Sequence, residues 1–252
     1  MAGILTSHSG LRPEAKRYVM AGRGVVVDIA GRGDFVTIQD AVDFCYARGG
    51  TGGHIWIRNG TYYENVLTAN THNNLVIEGE SWDTLIDGET SGHAIEATSD
   101  VHIKSLQVQT TGGGGTQYDG INMSSATWYQ IVEDCLCLDS DGHGIEFSSS
   151  NVVIRGCWMW GCDEDGIRLA GAWSKVMQNQ CNSNGANGIG LPGTGDNACI
   201  TGNQLISNAS YGIIIGASDD NCVIVGNRAT GNSSGNINDG SSTSTVTGND
   251  TT

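Results

Sequence analysis

Proline is almost missing from this chain, with 2 in 252 residues, and basic side chains are scarce. Only 12 Lys and Arg stand against 27 Asp and Glu, a formal net charge of -15. Such a surface repels nucleic acid and anionic membrane, so neither is expected as a partner. A bare polyuronate is disfavoured for the same reason, unless a divalent cation bridges the two. Charged residues make up only 15%, which excludes the charge-dense composition of a disordered tail. No apolar run reaches the roughly 18 residues of a transmembrane helix. Residues 1–24 lack the continuous apolar stretch of a secretory signal, so export by that route is not expected. None of the 8 cysteines sits in a CxxC pair, which argues against a structural zinc site.

Glycine is plentiful instead. Its 38 residues follow no G-X-Y period, which excludes collagen and asks for many tight turns. One element recurs as His93-Ala94-Ile95-Glu96, Asp119-Gly120-Ile121-Asn122, His143-Gly144-Ile145-Glu146 and Asp165-Gly166-Ile167-Arg168. It continues as Asn187-Gly188-Ile189 and Tyr211-Gly212-Ile213, and fades at Gly235-Asn236-Ile237, with spacings of 22 to 26 residues. A second column keeps the same period: Ile154 to Cys157, Val176 to Asn179, Ile200 to Asn203, Ile224 to Asn227 and Val246 to Asn249. A unit this short cannot bury its own apolar face, but coils stacked about 4.8 Å apart can. The pattern predicts an all-β fold, a right-handed single-stranded parallel β-helix of about eight or nine coils over about residues 54–249.

The period also assigns positions around each coil. Cys135, Cys157, Asn179, Asn203 and Asn227 share one turn, where Asn tolerates left-handed backbone and its amide can bond the next coil. Cys137, Met159, Cys181, Leu205 and Ala229 form an inward column. Cys135 and Cys157 therefore stand one coil apart, inside the range a disulfide permits. Free buried thiols are expected elsewhere, with an exposed Cys162 as the second exception.

The front end differs. Ile38, Ala41, Val42 and Cys45 fall at helical spacing, Thr37 with Asp40 resembles a capping box, and Gly49-Gly50 supplies a stop. A short helix over about 37–48 would cover the open apolar end of the first coil. Residues 1–30 read as a basic arm and first strand, and 31–252 as the β-helix domain. Arg12, Lys16, Arg17 and Arg23 against Glu14 give residues 1–24 a net of +3 while the remainder carries -18. That asymmetry suggests docking on an acidic protein surface.

Gly33-Asp34-Phe35-Val36-Thr37-Ile38-Gln39-Asp40-Ala41-Val42, Gly52-Gly53-His54-Ile55-Trp56-Ile57 and Gly60-Thr61-Tyr62-Tyr63-Glu64-Asn65-Val66 carry a resemblance. Over about residues 31–80 the chain resembles the opening of pectin lyase-like β-helix proteins, shared by pectinesterases and many bacteriophage tailspikes. The resemblance implies architecture; enzymes and binding proteins use the same scaffold. No run like the G-T-V-D-F-I-F-G or L-G-R-P-W of pectinesterases occurs. Gly142-His143-Gly144 resembles the G-H-G of polygalacturonases and Glu133-Asp134-Cys135 faintly resembles their D-D element. These lie about one coil apart in that family, and only eight residues separate Asp134 from Gly142 here. Catalytic roles do not transfer.

From the residues themselves, the outward face beside the Gly-Ile strands is the strongest candidate. Asp119, His143 and Asp165 precede the repeat glycine, while Asn122, Glu146 and Arg168 follow the Ile. Stacked a coil apart, they would place carboxylates, an imidazole and a guanidinium within reach of one sugar ring. Paired carboxylates suit acid/base work on a glycosidic bond, and Arg can stabilise developing charge. Polar outward positions and Asp-Gly turns also arise without any function. Asp139, Asp141, Asp163, Glu164 and Asp165 offer oxygens for Ca²⁺, but no D-x-D-x-D-G loop is present, so a solvated turn face is favoured and no cofactor is expected. Trp158, Trp160 and Trp173, with Trp128 and Tyr129, could stack on sugars or fill a coil. Gly112 to Gly115 has no Lys-Ser/Thr after it and is no phosphate cradle.

Two function classes remain. One is a non-catalytic component of a tailed bacteriophage virion: a capsid decoration, neck or tail fibre/spike protein, expected as a homotrimer, contacting other virion proteins and polysaccharide. The other is a carbohydrate-active enzyme, a polysaccharide lyase, hydrolase or esterase. Ice binding lacks its regular Thr-x-Thr column.

Overall fold

The computed structural model describes residues 24–47, 52–68, 74–89, 91–98, 100–111, 117–123 and 130–251. Arg12, Lys16, Arg17, Arg23, Trp128, Tyr129 and Gly112 to Gly115 lie outside the described residues.

Three parallel sheets run the length of a solenoid. Sheet I has ten strands, from Val25–Val27 to Thr245–Thr247, while sheets II and III have eight each. Each coil visits I, II and III in turn, and the eight strands in each of sheets II and III mark eight successive coils. The register is the expected one. Ile95, Ile121, Ile145, Ile167, Ile189, Ile213 and Ile237 are partners along sheet III, and all but Ile237 are fully buried. Cys137, Met159, Cys181, Leu205 and Ala229 form the matching interior column of sheet II.

Sterics explain the glycine before Ile121, Ile145, Ile167, Ile189 and Ile213. A Cβ on Gly144 would lie 2.7 Å from the carbonyl oxygen of Gly166 in the next coil, closer than any real side chain comes. Only glycine lets consecutive coils approach there.

The turns are held by stacked amides. Asn179 Oδ1 accepts the Cys157 N–H at 2.9 Å, Asn203 serves Asn179, Asn227 serves Asn203, and Asn249 serves Asn227. Each Asn also donates to a carbonyl of the preceding coil, so these buried amides are satisfied. A second ladder, which the sequence reading passed over, begins at Cys162 and runs through Asn184, Asn208 and Asn232 at the turn from sheet II to sheet III.

One expectation about cysteine fails, the exposure of Cys162. All eight thiols are free, Cys135 and Cys157 included. Cys135 donates to the Glu133 carbonyl at 3.3 Å and Cys157 to that of Arg155 at 3.3 Å, so each thiol serves its own turn. Cys162 is buried, with 1% exposure, because it occupies an Asn position of the second ladder. Burial pushes the Cys162 thiol up to about 12 and raises Cys137, Cys157 and Cys181 as well, which leaves them unreactive.

The helix, α1, spans Ile38–Ala47 and buries Ile38, Ala41, Val42 and Cys45. Thr37 Oγ1 accepts the Asp40 N–H at 3.3 Å, and the Glu64 carboxylate caps the first turn by accepting from Ile38 and Gln39 at 2.8 and 2.9 Å. Gln39 then behaves as an added strand: its amide donates to the Leu67 carbonyl at 3.1 Å and accepts the Leu67 N–H at 2.8 Å. Val66–Thr68 is the first strand of sheet III, so this pairing covers its open edge. Gly53 permits the seating, since a Cβ there would lie 2.8 Å from Cys45 Sγ. Among the described residues no helix is long and apolar enough to cross a membrane.

Candidate functional site

Sheet III brings the expected polar residues together, one coil apart. Glu96, Asn122, Glu146 and Arg168 are register partners on its outer face. Beside them, at the turn into the sheet, His93, Asp119, His143 and Asp165 form a parallel column. The column has a structural duty, since each side chain accepts a backbone N–H from the following coil. His93 Nδ1 takes Asp119 N–H at 2.9 Å, Asp119 takes His143 at 2.7 Å, His143 Nδ1 takes Asp165 at 3.1 Å, and Asp165 takes Asn187 at 2.8 Å. His93 and Glu96 extend the site beyond the six residues expected from sequence, and their shared spacing with the other repeats was the available signal.

The accepting Nδ1 fixes the neutral imidazoles with their proton on Nε2. His143 Nε2 lies 3.2 Å from Arg168 Nη1, so two donors converge with no acceptor between them. Arg168 Nε is 3.3 Å from Glu146 Oε1, an ion-pair distance, yet has no hydrogen-bond partner. Asn122 Nδ2 bridges Asp119 at 2.7 Å and Glu146 at 3.2 Å. The arrangement can take hydroxyls in both senses: carboxylates accept, and Arg168 and His143 donate.

Burial sets the proton affinities. It lowers the His143 pKa, the adjacent guanidinium adding to the effect against opposing carboxylates. It raises the Glu146 pKa, with Asp119 the next contributor. The consequences for stability run in opposite directions. A raised carboxylate pKa stabilises the fold below the unfolded value near 4.5 and loses that contribution as pH rises through the folded pKa. A lowered His pKa costs stability as pH falls below 6.5. Glu146→Gln is therefore expected to melt above wild type at pH 8 and with it at pH 4, as differential scanning calorimetry would show.

Asp119, His143 and Glu146 carry ligand atoms within 4.8 Å of one another. The Arg168 guanidinium, facing both His143 and Glu146, already supplies the positive charge there, and a metal ion would have to displace it. The acidic residues considered for Ca²⁺ have other surroundings: Asp139 and Asp141 lie at the end of sheet II, Glu164 accepts from Gln117, and Asp165 belongs to the ladder. On sheet I, Lys104 pairs with Glu78 at 2.9 Å and Arg155 with Glu133 at 2.9 Å. Trp158 and Trp160 point outward from sheet II, and Trp173 is exposed at a separate turn with φ 61°.

The family model described as "Right handed beta helix region" matches residues 84–229. The chain belongs to that family. Solved structures with the same fold include the periplasmic alginate epimerase AlgG, with TM-score 0.60 and 13% identity over 82% of this chain and 53% of that one. The Dettilon tailspike protein (gp208) gives TM-score 0.62 and 15% identity over 84% and 50%. ORF18 of Geobacillus virus E2 gives 0.63 and 16% over 86% and 53%. The chain thus spans about half the length of these structures. No curated protein matches it. At such identities the likeness shows the right-handed β-helix fold alone.

Proposed function

We propose that this chain is a non-catalytic surface protein of a tailed bacteriophage virion, a capsid decoration, neck or tail fibre/spike component, which holds a polysaccharide against sheet III. The observation that carries the reading is the pair of polar columns, Glu96 to Arg168 beside His93 to Asp165, stacked on four successive coils with His93, Glu96, Glu146 and Arg168 partly exposed and Asp119, Asn122, His143 and Asp165 buried among them. The tailspike and viral neighbours support the setting. A binding role is favoured over turnover because His143 and Asp165 are committed to backbone amides, and the His143 and Glu146 side chains both face Arg168. In this reading the protein works as a homotrimer in the virion, and Arg12, Lys16, Arg17 and Arg23 dock it on an acidic neighbouring virion protein.

The second reading is a carbohydrate-active enzyme. One observation favours it: a carboxyl with raised pKa and an imidazole with lowered pKa share a site. Two measurements separate the readings. Mass spectrometry of purified particles is expected to find the chain in the virion, and a panel of acidic and neutral polysaccharides is expected to yield neither new reducing ends nor 4,5-unsaturated products. Turnover abolished by both Asp165→Ala and His143→Ala would establish the enzyme instead.

A further inference from the structure

We infer that the outer face of sheet II holds a second carbohydrate site, built for uncharged sugars on Trp158 and Trp160. Exposed indoles are costly to leave in water without a purpose, and these two are 37% and 55% exposed on one strand, Trp158–Trp160. Two residues apart on a parallel strand, they lie about 6.6 Å from each other on the same face. The platform is braced before any ligand arrives. Trp82 reaches over from three coils earlier, its Nε1 donates to the Asp134 carbonyl at 2.6 Å, and its ring tilts against Trp158 with centroids 5.4 Å apart. Holding the aromatic surface rigid in advance removes an ordering cost from binding.

The neighbours define the chemistry of the occupant. On the next coil Gln180 and Asn182 are the register partners of Trp158 and Trp160, and both are partly exposed. Amides that donate and accept suit sugar hydroxyls, while indole faces suit the C–H face of a pyranose ring. No ionised side chain stands among these four positions. Two carboxylates, Asp134 and Asp139, sit at the turn edges against Gly156 and Gly161. This uncharged centre with an anionic rim matches a neutral glycan and repels a uronate chain. The site uses no residue of the sheet III grid, so it stands or falls separately from the function proposed above.

The test is calorimetric titration of the full chain with neutral gluco-, galacto- and manno-oligosaccharides, and with oligogalacturonate as the acidic probe. Binding to at least one neutral probe is expected. It should weaken at least tenfold in Trp160→Ala and Trp158→Ala, and survive largely in Trp160→Tyr, which keeps an aromatic face. Circular dichroism of the exposed-site variants confirms that the coils persist. No binding of any neutral probe, or oligogalacturonate binding as tightly, would overturn the inference. So would sedimentation showing a self-associated chain that Trp160→Ala dissociates, because the face would then belong to a second copy.

Discussion

Asn203→Ala is expected to destabilise the coils by about 3–5 kcal/mol, the sum of several buried groups losing partners at once. The Asn203 side chain accepts both the backbone N–H and the side-chain amide of Asn179, and donates to Val176 O and Asn227 Oδ1, all between 2.9 and 3.0 Å. Alanine leaves the Asn179 N–H and the Val176 carbonyl inside the turn, where no water replaces the lost amide. Because a solenoid's stability is the sum of its repeats and their interfaces, the loss should appear first in the coils around the substitution. Urea unfolding followed by circular dichroism, with hydrogen exchange to place the early opening, measures it. An effect below about 1 kcal/mol, the usual net value of one hydrogen bond, would mean the ladder is ornamental.

Deleting residues 37–48 is expected to remove soluble β-structure altogether. A helix of 10 residues is too short to be stable alone, so it exists by packing, and the packing is mutual. Without it, buried Ile55 and Val66 of the first coil meet water, and Val66–Thr68 regains an open edge that invites pairing with other chains. Deletion of residues 1–23 stops short of the Val25–Val27 strand and should leave the circular dichroism of the coils unchanged. If arm docking is electrostatic, that truncated chain should also lose the salt-sensitive part of its attachment to particles. A soluble, folded chain after loss of α1 would contradict its capping role.

The fold was legible because two columns, Gly-Ile and Asn, repeat with one period, and both arise from contacts between coils. The ladder through Asn184, Asn208 and Asn232 has that period too, but its first member, Cys162, shares no side-chain chemistry with Asn and hides it. The two tryptophans could have been placed from strand alternation: with Met159 inward, Trp158 and Trp160 must face out. Cα spacing alone does not say where a thiol points, and the S–H groups of Cys135 and Cys157 turn to nearby carbonyls. The polar face was legible in its residues. Its hydrogen-bonding duty was not, because the side chain that accepts the next coil's amide is a matter of turn geometry.

Hydrogen exchange of the full chain, free and saturated with an oligosaccharide it binds, tests the central claim most directly. Sheet III contact predicts ligand-dependent protection in Ile121–Met123, Ile145–Phe147 and Ile167–Leu169, absent in Arg168→Ala, with the recovered oligosaccharide intact. Protection confined to other faces of the solenoid, or a cleaved or otherwise altered oligosaccharide, would contradict it.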